Sequence, residues 1–242
     1  MPGIAYKLVI LLKAREGLSP EAFADAWLSL DASCPIAADG LVRTVFDRPL
    51  RGTSPIANAP NAPYDAALET WWRRESDAVD WAASREFEER WLPQRMALLA
   101  ARPAAIGGPP QVIWEREQPA GSSPVTVLAL PVALRSLRFQ QFVDHWTGPH
   151  AELALGDPHT KKRLVRLEDT PAPTAPPVQF DTTRFDGIGA ITFESAEALA
   201  ASFSSDYYRE HLAPDEPRFT DSTLSAAILT RGTDLRNFSS RS

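Results

Sequence analysis

The alternation of apolar runs and amphipathic stretches predicts the same order of elements twice along the chain. In the first half, strands are predicted at 6–12, 41–46, 66–72 and 112–116, and helices after the Ser19-Pro20 cap and across 75–99, broken near Pro93. In the second half, strands are predicted at 125–132, 162–168, 188–193 and 223–231, and helices at 138–146, closed by Gly148-Pro149, and at 196–211. Each half therefore has the order β-α-β-β-α-β, which is the ferredoxin-like pattern.

The first helix of each half carries one spacing, F-x3-W-x3. Its residues are Phe23, Trp27 and Asp31 in the first half and Phe142, Trp146 and His150 in the second, 119 positions later. An internal repeat fixes the architecture and indicates a tandem duplication. We therefore expect a first repeat at 1–117, a linker at 118–124, a second repeat at 125–235 and a tail at 236–242.

The repeat predicts the fold class, which is α+β. A four-stranded antiparallel sheet with helices on one face leaves its other face bare, and that face must be buried. Two such sheets packed face to face would make a pseudo-dimeric, eight-stranded α/β barrel. We expect an internal pseudo-dimer that could dimerise again as a homodimer. Long loops are predicted at equivalent places, 48–63 and 170–183, and loops of this length are often functional.

Composition narrows the function classes. The 242-residue chain has a net charge of −6 and no basic run, so nucleic acid is not an expected partner. A single cysteine, Cys34, rules out an intrachain disulfide and is typical of a reducing compartment. No apolar run reaches the roughly 18 residues of a membrane span, so we expect no membrane association and a cytoplasmic location.

Several segments of the second half carry a family resemblance. They are the F-x3-W-x3-H segment 142–150, the FDGIGAITF strand at 185–193, the YYREH segment at 207–211 and the DEPRFTD segment at 215–221. Together they resemble the EthD-like branch of the dimeric α/β-barrel superfamily. The resemblance implies an enzyme without a cofactor, because relatives act as polyketide cyclases, dehydratases, lactone isomerases or quinone-forming monooxygenases.

The two halves depart from the family pattern in opposite ways. Ala190 and Thr192 stand where the family tends to have Glu and Trp, whereas the first half has Glu69 and Trp71 there. The first half in turn has Asp31 where the second has His150. Either the halves have specialised or a structural half has drifted.

His150 is the foremost candidate for a catalytic residue. A histidine titrates near neutral pH and can act as a general base or acid. The alternative is a ring that bonds a backbone carbonyl and fixes the turn. Trp146, on the same helix, would supply an apolar wall for the substrate.

The second catalytic candidate is Glu69, which shares a strand face with the substrate-binding candidate Trp71. A carboxylate in an apolar layer can have a raised pKa and transfer protons, whereas a surface-exposed or salt-bridged Glu69 would have no catalytic role. Tyr208, His159 in a loop, and His211 at a helix end are further substrate-binding candidates, although helix capping alone explains His211. His145 is expected at the surface.

Motifs for cofactor chemistry are missing from the sequence. There is no H-x3-H or H-E-x-x-H spacing and no Gly-rich phosphate loop, so neither a metal nor a cofactor is expected. The absence of a G-x-S-x-G elbow argues against nucleophilic catalysis by serine. The leading hypothesis is a lyase (dehydratase, retro-aldol-type cleavage or cyclase) that acts by proton transfer on a small aromatic or polyketide-like compound. The alternatives are a cofactor-independent monooxygenase of phenolic compounds and a non-catalytic binding barrel.

Overall fold

The computed structural model describes residues 3–50, 60 and 62–237. The strands of this part of the chain are β1 (Tyr6–Leu12), β2 (Leu41–Pro49), β3 (Ala66–Trp72), β4 (Ala104–Gly108), β5 (Gln111–Glu115), β6 (Val125–Leu130), β7 (Leu164–Pro171), β8 (Gly187–Phe193) and β9 (Ala226–Asn237). The helices are α1 (Pro20–Ser33), α2 (Glu75–Ala82), α3 (Leu92–Met96), α4 (Phe139–His145), α5 (Ala151–Gly156), α6 (Pro158–Arg163) and α7 (Ala196–Phe203). The same described ranges contain three π-helical turns, at Phe87–Trp91, Trp146–His150 and Tyr208–Leu212, and a 3-10 turn at Glu216–Arg218.

The strands form one antiparallel sheet in the order β4-β1-β3-β2-β9-β6-β8-β7-β5. The first four strands have the ferredoxin-like order, and β9-β6-β8-β7 repeats that order with the strands of the second half. Pairing between β2 and β9 joins the two repeats edge to edge.

The sheet curls so that its two ends approach each other. Strands β4 and β5 lie at opposite ends of the strand order, yet only Pro109 and Pro110 separate them along the chain. A side chain at Gly108 would collide with the carbonyl oxygen of Pro171, so glycine permits the close approach of β4 to the end of β7. The fold is therefore α+β with a curled antiparallel sheet. In place of the predicted eight strands in two facing sheets, nine strands pair continuously.

One structural contact recurs at the same place in both halves. The Asp65 carboxylate accepts the Ala14 N–H at 2.8 Å, and the Asp186 carboxylate accepts the Ala133 N–H at 2.8 Å. These pairs stand 121 and 119 positions apart in the sequence, as the repeat predicts. The shared contact extends the repeat from sequence to hydrogen bonding.

Several element boundaries differ from the prediction. The pattern does not predict β4, because in its Ala-Ala-Ile-Gly-Gly sequence only Ile106 has a strong strand preference. The helix expected to close at Gly148-Pro149 continues instead through a π turn into α5, and a π turn accommodates a residue without an N–H by shifting the hydrogen-bond ladder. Most of the predicted loop 48–63 and the end of the tail lie outside the described residues.

The two faces of the sheet have different roles. The outer face of each repeat is covered by that repeat's own helices, whereas the inner face is shared by both repeats. Apolar side chains fill one part of the inner face, among them Val9, Leu11, Leu128, Ile188 and Ile228. Another part holds charged residues centred on Lys7.

Lys7 is fully buried and lies between two carboxylates, one from each repeat. Its ammonium group is ion-paired with Glu69, and lies 2.6 Å from Glu168. Burial alone would lower the pKa of Lys7, but attraction to Glu168 and Glu69 raises it. The contacts of Glu168 with Lys7 and Arg166 outweigh the effect of burial and lower the pKa of Glu168 to about 2. A charged network therefore joins the repeats across the inner face.

We expect Lys7→Met to destabilise the fold strongly, because it leaves Glu69 and Glu168 buried without their shared cation. The loss in free energy of unfolding, measured by urea denaturation, should be about 3–5 kcal/mol. Adding Glu69→Gln to Lys7→Met should recover part of it.

Lys13→Met is the matched control, since Lys13 pairs with Asp65 at 3.0 Å with its side chain 49% exposed. An exposed pair of this kind contributes about 1 kcal/mol or less. Equal losses for the two lysine variants would contradict a special role for Lys7.

Candidate active site

A cavity of about 150 Å³ lies between the outer face of the second repeat's sheet and the helices that cover it. All of its lining residues fall between Ala129 and Ala226, and most are apolar. The polar and titratable ones include His150, Asp169, Tyr207, Tyr208 and Glu216. A cavity of this volume accommodates a ligand of about one aromatic ring.

The corresponding space in the first repeat is packed with aromatic rings. Trp27 stacks on Phe46 with ring centroids 5.6 Å apart and planes at 10°, and Trp91 meets Trp27 edge-on at 6.1 Å. Asp31, at the position equivalent to His150, lies 3.5 Å from the buried guanidinium of Arg95. The first repeat therefore uses this layer as core.

Strand register shows which residues differ between the repeats at the position where the second repeat has its cavity. Phe46 of β2 pairs with Leu68 of β3, and the equivalent pair on β7 and β8 is Asp169 with Gly189. A side chain at Gly189 would lie 3.1 Å from Asp169 Oδ1 and 3.3 Å from the Trp146 ring. Two apolar side chains are thus replaced by one carboxyl group and a glycine, which leaves space below Trp146.

His150 reaches the cavity from the helical layer and is held by Asp215. Its Nδ1 atom lies 3.0 Å from Asp215 Oδ2, so a carboxylate, and not the expected backbone carbonyl, orients the ring. A second histidine, His145, places Nε2 3.0 Å from the same oxygen. Phe219 packs against both rings, with centroid distances of 5.0 Å to His145 and 4.8 Å to His150.

The π turn at Trp146–His150 explains why both histidines meet one carboxylate. Residues five apart diverge on an α-helix, whereas a π turn hydrogen-bonds residues five apart and brings them over one another. The expectation that His145 lies at the surface is therefore wrong: its side chain is 23% exposed and bonded. In the first repeat, α1 continues as a regular helix through the equivalent positions.

Burial and Asp215 set the protonation of His150. Burial lowers the pKa of His150, and the hydrogen bond to Asp215 partly opposes that effect. Hydrogen bonds from the two histidines outweigh burial and lower the pKa of Asp215, which is therefore an anion. An anionic acceptor at Nδ1 places the imidazole proton there, which leaves the lone pair on Nε2 as the basic site.

Two carboxyl groups of the cavity have raised pKa values. Burial raises the pKa of Glu216 to about 7, and the Tyr208 hydroxyl donates to this carboxyl at 2.9 Å. Burial, followed by repulsion from Glu168, raises the pKa of Asp169 to about 8. The cavity thus combines a histidine that is neutral at pH 7 with carboxyl groups that stay partly or largely protonated.

The predicted site residues are divided between different places. His150, Trp146 and Tyr208 line the cavity. Glu69 and Trp71 lie on the inner face of the sheet, where Glu69 is ion-paired with Lys7 and the Trp71 indole donates to Glu168 at 3.3 Å. Glu69 and His150 therefore do not meet in one site, and the salt-bridged alternative for Glu69 describes its contacts.

The other two predicted histidines lie outside the cavity. His159 is exposed, and its backbone N–H donates a hydrogen bond to the Asp157 carboxylate at 3.0 Å. His211 is also exposed and packs on the Tyr207 ring, with centroids 4.6 Å apart. The residues that sequence reasoning missed are His145, Asp169, Asp215 and Glu216, although the last two belong to the DEPRFTD segment.

In the described ranges, no group of three or more His, Cys, Asp or Glu side chains is arranged to hold a metal ion. None of the helices within 3–50 and 62–237 combines the length and apolar character needed to cross a bilayer.

Comparison with known proteins identifies one domain. Residues 135–223 match the EthD domain model, and this segment includes Trp146, His150, Asp169, Tyr208 and Asp215. At a significant level, no protein of curated function is similar in sequence to this chain.

Solved structures share the fold over nearly the whole chain. An anthrone oxidase-like protein has a TM-score of 0.67 at 13% identity, covering 96% of this chain and 92% of that one. A putative monooxygenase from Fusobacterium nucleatum has a TM-score of 0.61 at 6% identity, covering 98% and 96%. A putative chlorite dismutase has a TM-score of 0.54 at 14% identity, covering 96% of both chains. Residues 135–223 are therefore similar to the EthD domain, and the chain as a whole shares the fold of these solved structures.

Proposed function

We propose that this protein is an enzyme that removes a proton from a small, ring-containing carbonyl or phenolic compound, in the second-repeat cavity, with His150 as the base. One observation carries this proposal: a largely apolar cavity contains a histidine whose Nδ1 atom is held at 3.0 Å by an anionic aspartate. That arrangement leaves a basic nitrogen in a site of low polarity, where electrostatic effects on developing charge are strong.

Asp215 is a positioning residue in this mechanism. It holds the imidazole in the tautomer that accepts a proton at Nε2, and its charge stabilises the imidazolium that forms. Trp146 and the apolar residues exclude water from the reacting atoms.

Removal of the proton yields an enolate or phenolate, and its fate defines the reaction. In a lyase, the electron pair expels a leaving group or cleaves a carbon–carbon bond, giving dehydration or retro-aldol-type products. This is our first assignment, and it requires no cofactor.

A cofactor-independent monooxygenase is the second candidate, favoured by the names of structures with the same fold, an anthrone oxidase-like protein and putative monooxygenases. There the carbanion would react with dioxygen, and a methylene group plus O₂ would become a carbonyl group plus water. Both candidates share the proton abstraction by His150.

We also propose that the chain is an internal pseudo-dimer of two EthD-like repeats, in which β4 and β5 act as one bent strand of an eight-stranded barrel. The recurring Asp65 and Asp186 contacts and the strand order support this assignment. The second repeat would hold the active cavity, and the first would stabilise the shared sheet.

Proton abstraction can be tested with 2-indanone, a compact ketone with acidic C–H bonds, by following its hydrogen–deuterium exchange in D₂O by NMR. We expect the protein to accelerate exchange, and His150→Gln to reduce the rate by about 10²–10⁴-fold. His159→Gln, an exposed histidine outside the cavity, should leave the rate unchanged. A folded His150→Gln variant with the wild-type rate would remove His150 from the mechanism, and binding without exchange would indicate a binding protein.

The pH profile tests the role of Asp215. The rate should rise with pH with a midpoint below pH 6.5, because burial lowers the pKa of His150 from that value. Asp215→Asn removes the contact that raises this pKa, so the rising limb should move to lower pH while the plateau rate falls about 10–100-fold. An unshifted limb would argue against the His150–Asp215 coupling.

Oxygen uptake separates the two reaction classes. With 2-indanone, a monooxygenase would consume one O₂ for each methylene group converted to a carbonyl group, as measured with an oxygen electrode. We expect exchange of 2-indanone without oxygen uptake, as a lyase requires. Uptake that depends on His150 would assign the chain to the monooxygenases.

A further inference from the structure

Building on the function proposed above, we propose that Asp169 is a second catalytic residue, whose neutral carboxyl group donates a hydrogen bond to the substrate oxygen that becomes negative when His150 removes the proton. Asp169 belongs to the sheet and His150 to the helical layer, and both line the same cavity. A planar ring between these layers can present a C–H bond to one group and an oxygen to the other.

The Asp169 carboxyl group has no structural task that would explain its burial. The residue is only 2% exposed, and no hydrogen bond from the described residues contributes to the environment of its carboxyl group. A buried polar group without a partner costs stability, so such a group is expected where a ligand completes its hydrogen bonds.

The glycine that pairs with Asp169 leaves space around this carboxyl group. The pair Asp169–Gly189 stands where the first repeat has Phe46–Leu68, and that apolar pair packs in the core. Any side chain at residue 189 would crowd Asp169 Oδ1 at 3.1 Å. The glycine therefore keeps the carboxyl oxygen open to the cavity.

The charged groups around Asp169 favour its neutral form at pH 7. Burial first, and then repulsion from Glu168, raise its pKa to about 8, while Lys7 acts in the opposite direction. Glu168 and Lys7 lie on the inner face of the sheet. His150, Glu216, Tyr207 and Tyr208 face Asp169 across the cavity, and of these His150 is neutral and Glu216 titrates near pH 7.

The electron flow is that of a carbonyl α-deprotonation. The substrate C–H bond breaks and its proton passes to His150 Nε2. Its electron pair forms the C=C bond of an enolate, while the C=O π pair moves onto the carbonyl oxygen. The Asp169 O–H group then binds an oxygen that carries negative charge, which is stronger than its bond to the neutral carbonyl. A carboxylic acid kept neutral by an apolar site can act in this way. The substrate class is thus a compound of about one ring that has an acidic C–H bond α to a carbonyl group, with the carbonyl oxygen directed to Asp169.

Two fluorinated one-ring probes test this assignment by ¹⁹F NMR titration. Pentafluorophenolate is anionic from pH 7 to 9.5 and mimics the charged oxygen, whereas hexafluorobenzene has the same ring without an oxygen. In the wild type, the affinity for pentafluorophenolate should fall about 30-fold between pH 7 and 9.5, as Asp169 loses its proton. Hexafluorobenzene should bind with the same affinity throughout.

Asp169→Asn should abolish the fall above pH 8, because asparagine remains a neutral donor. Glu216→Gln changes the other protonated carboxyl of the cavity. This variant should still show the fall in affinity for pentafluorophenolate above pH 8. A fall that persists in Asp169→Asn would overturn the role of Asp169 and leave the His150 mechanism standing. Failure of hexafluorobenzene to bind the folded protein would overturn the cavity itself, and the proposed function with it.

A stability measurement shows whether Asp169→Asn folds and whether Asp169 is neutral. An acid whose pKa is raised by folding retains a proton that the unfolded chain loses, so stability falls as pH rises from about 4 to about 8. The urea midpoint of Asp169→Asn should therefore exceed that of the wild type by an amount that grows across this window and then levels off. Asp206→Asn, an exposed acid, should show no such trend, and a constant difference for Asp169→Asn would contradict a neutral Asp169.

Discussion

The structure depends on the requirement that both faces of one sheet be covered. Because side chains alternate along a strand, each strand contributes to two layers at once. The inner layer is shared by the repeats and joins them, so its residues must suit both halves. The outer layers are separate, and each is covered mainly by the helices of its own repeat, although Phe180 of the second repeat packs against Phe87 in the first layer. That separation allows one outer layer to be filled with tryptophan rings while the other contains a cavity.

The same alternation separates two adjacent carboxyl groups. Glu168 faces inward to Lys7 and Arg166, and its pKa is lowered to about 2. Asp169, the next residue, faces outward into the cavity, and its pKa is raised to about 8. Both carboxyl groups are buried, so burial alone does not decide whether the pKa is raised or lowered. The difference is that Glu168 has two cations as partners, whereas Asp169 has none in the described chain. One strand therefore provides a structural anion and a neutral acid, and such a divergence between neighbouring carboxyls is typical of acid–base sites.

Much of the fold could be predicted from the sequence, because the repeat and the strand periodicity are local signals. The apolar runs predicted β1 and β3 with their observed bounds, and the F-x3-W-x3 spacing identified the equivalent helices. β4 was missed because its Ala- and Gly-rich sequence forms a strand only through pairing with β1. Its continuation into β5 across two prolines depends on the curl of the sheet, which no local pattern encodes.

The site was harder to predict because its residues are combined by tertiary structure. The chemistry of histidine identifies His150 as a candidate, but Asp215 lies 65 positions away in the sequence. Regular α-helical geometry directs His145 away from His150 and so predicts a surface position for it. The π turn changes that geometry: it places both histidines on one carboxylate and so makes His150 a ring of fixed orientation. In the first repeat, α1 passes this point without such a turn, and Asp31 bonds to Arg95 within the core. A histidine at position 31 would thus lie against packed aromatic rings and not at a cavity. The proposed active site therefore requires three features at once: the imidazole, the π turn that orients it, and the Asp169–Gly189 pair that leaves space for a ligand.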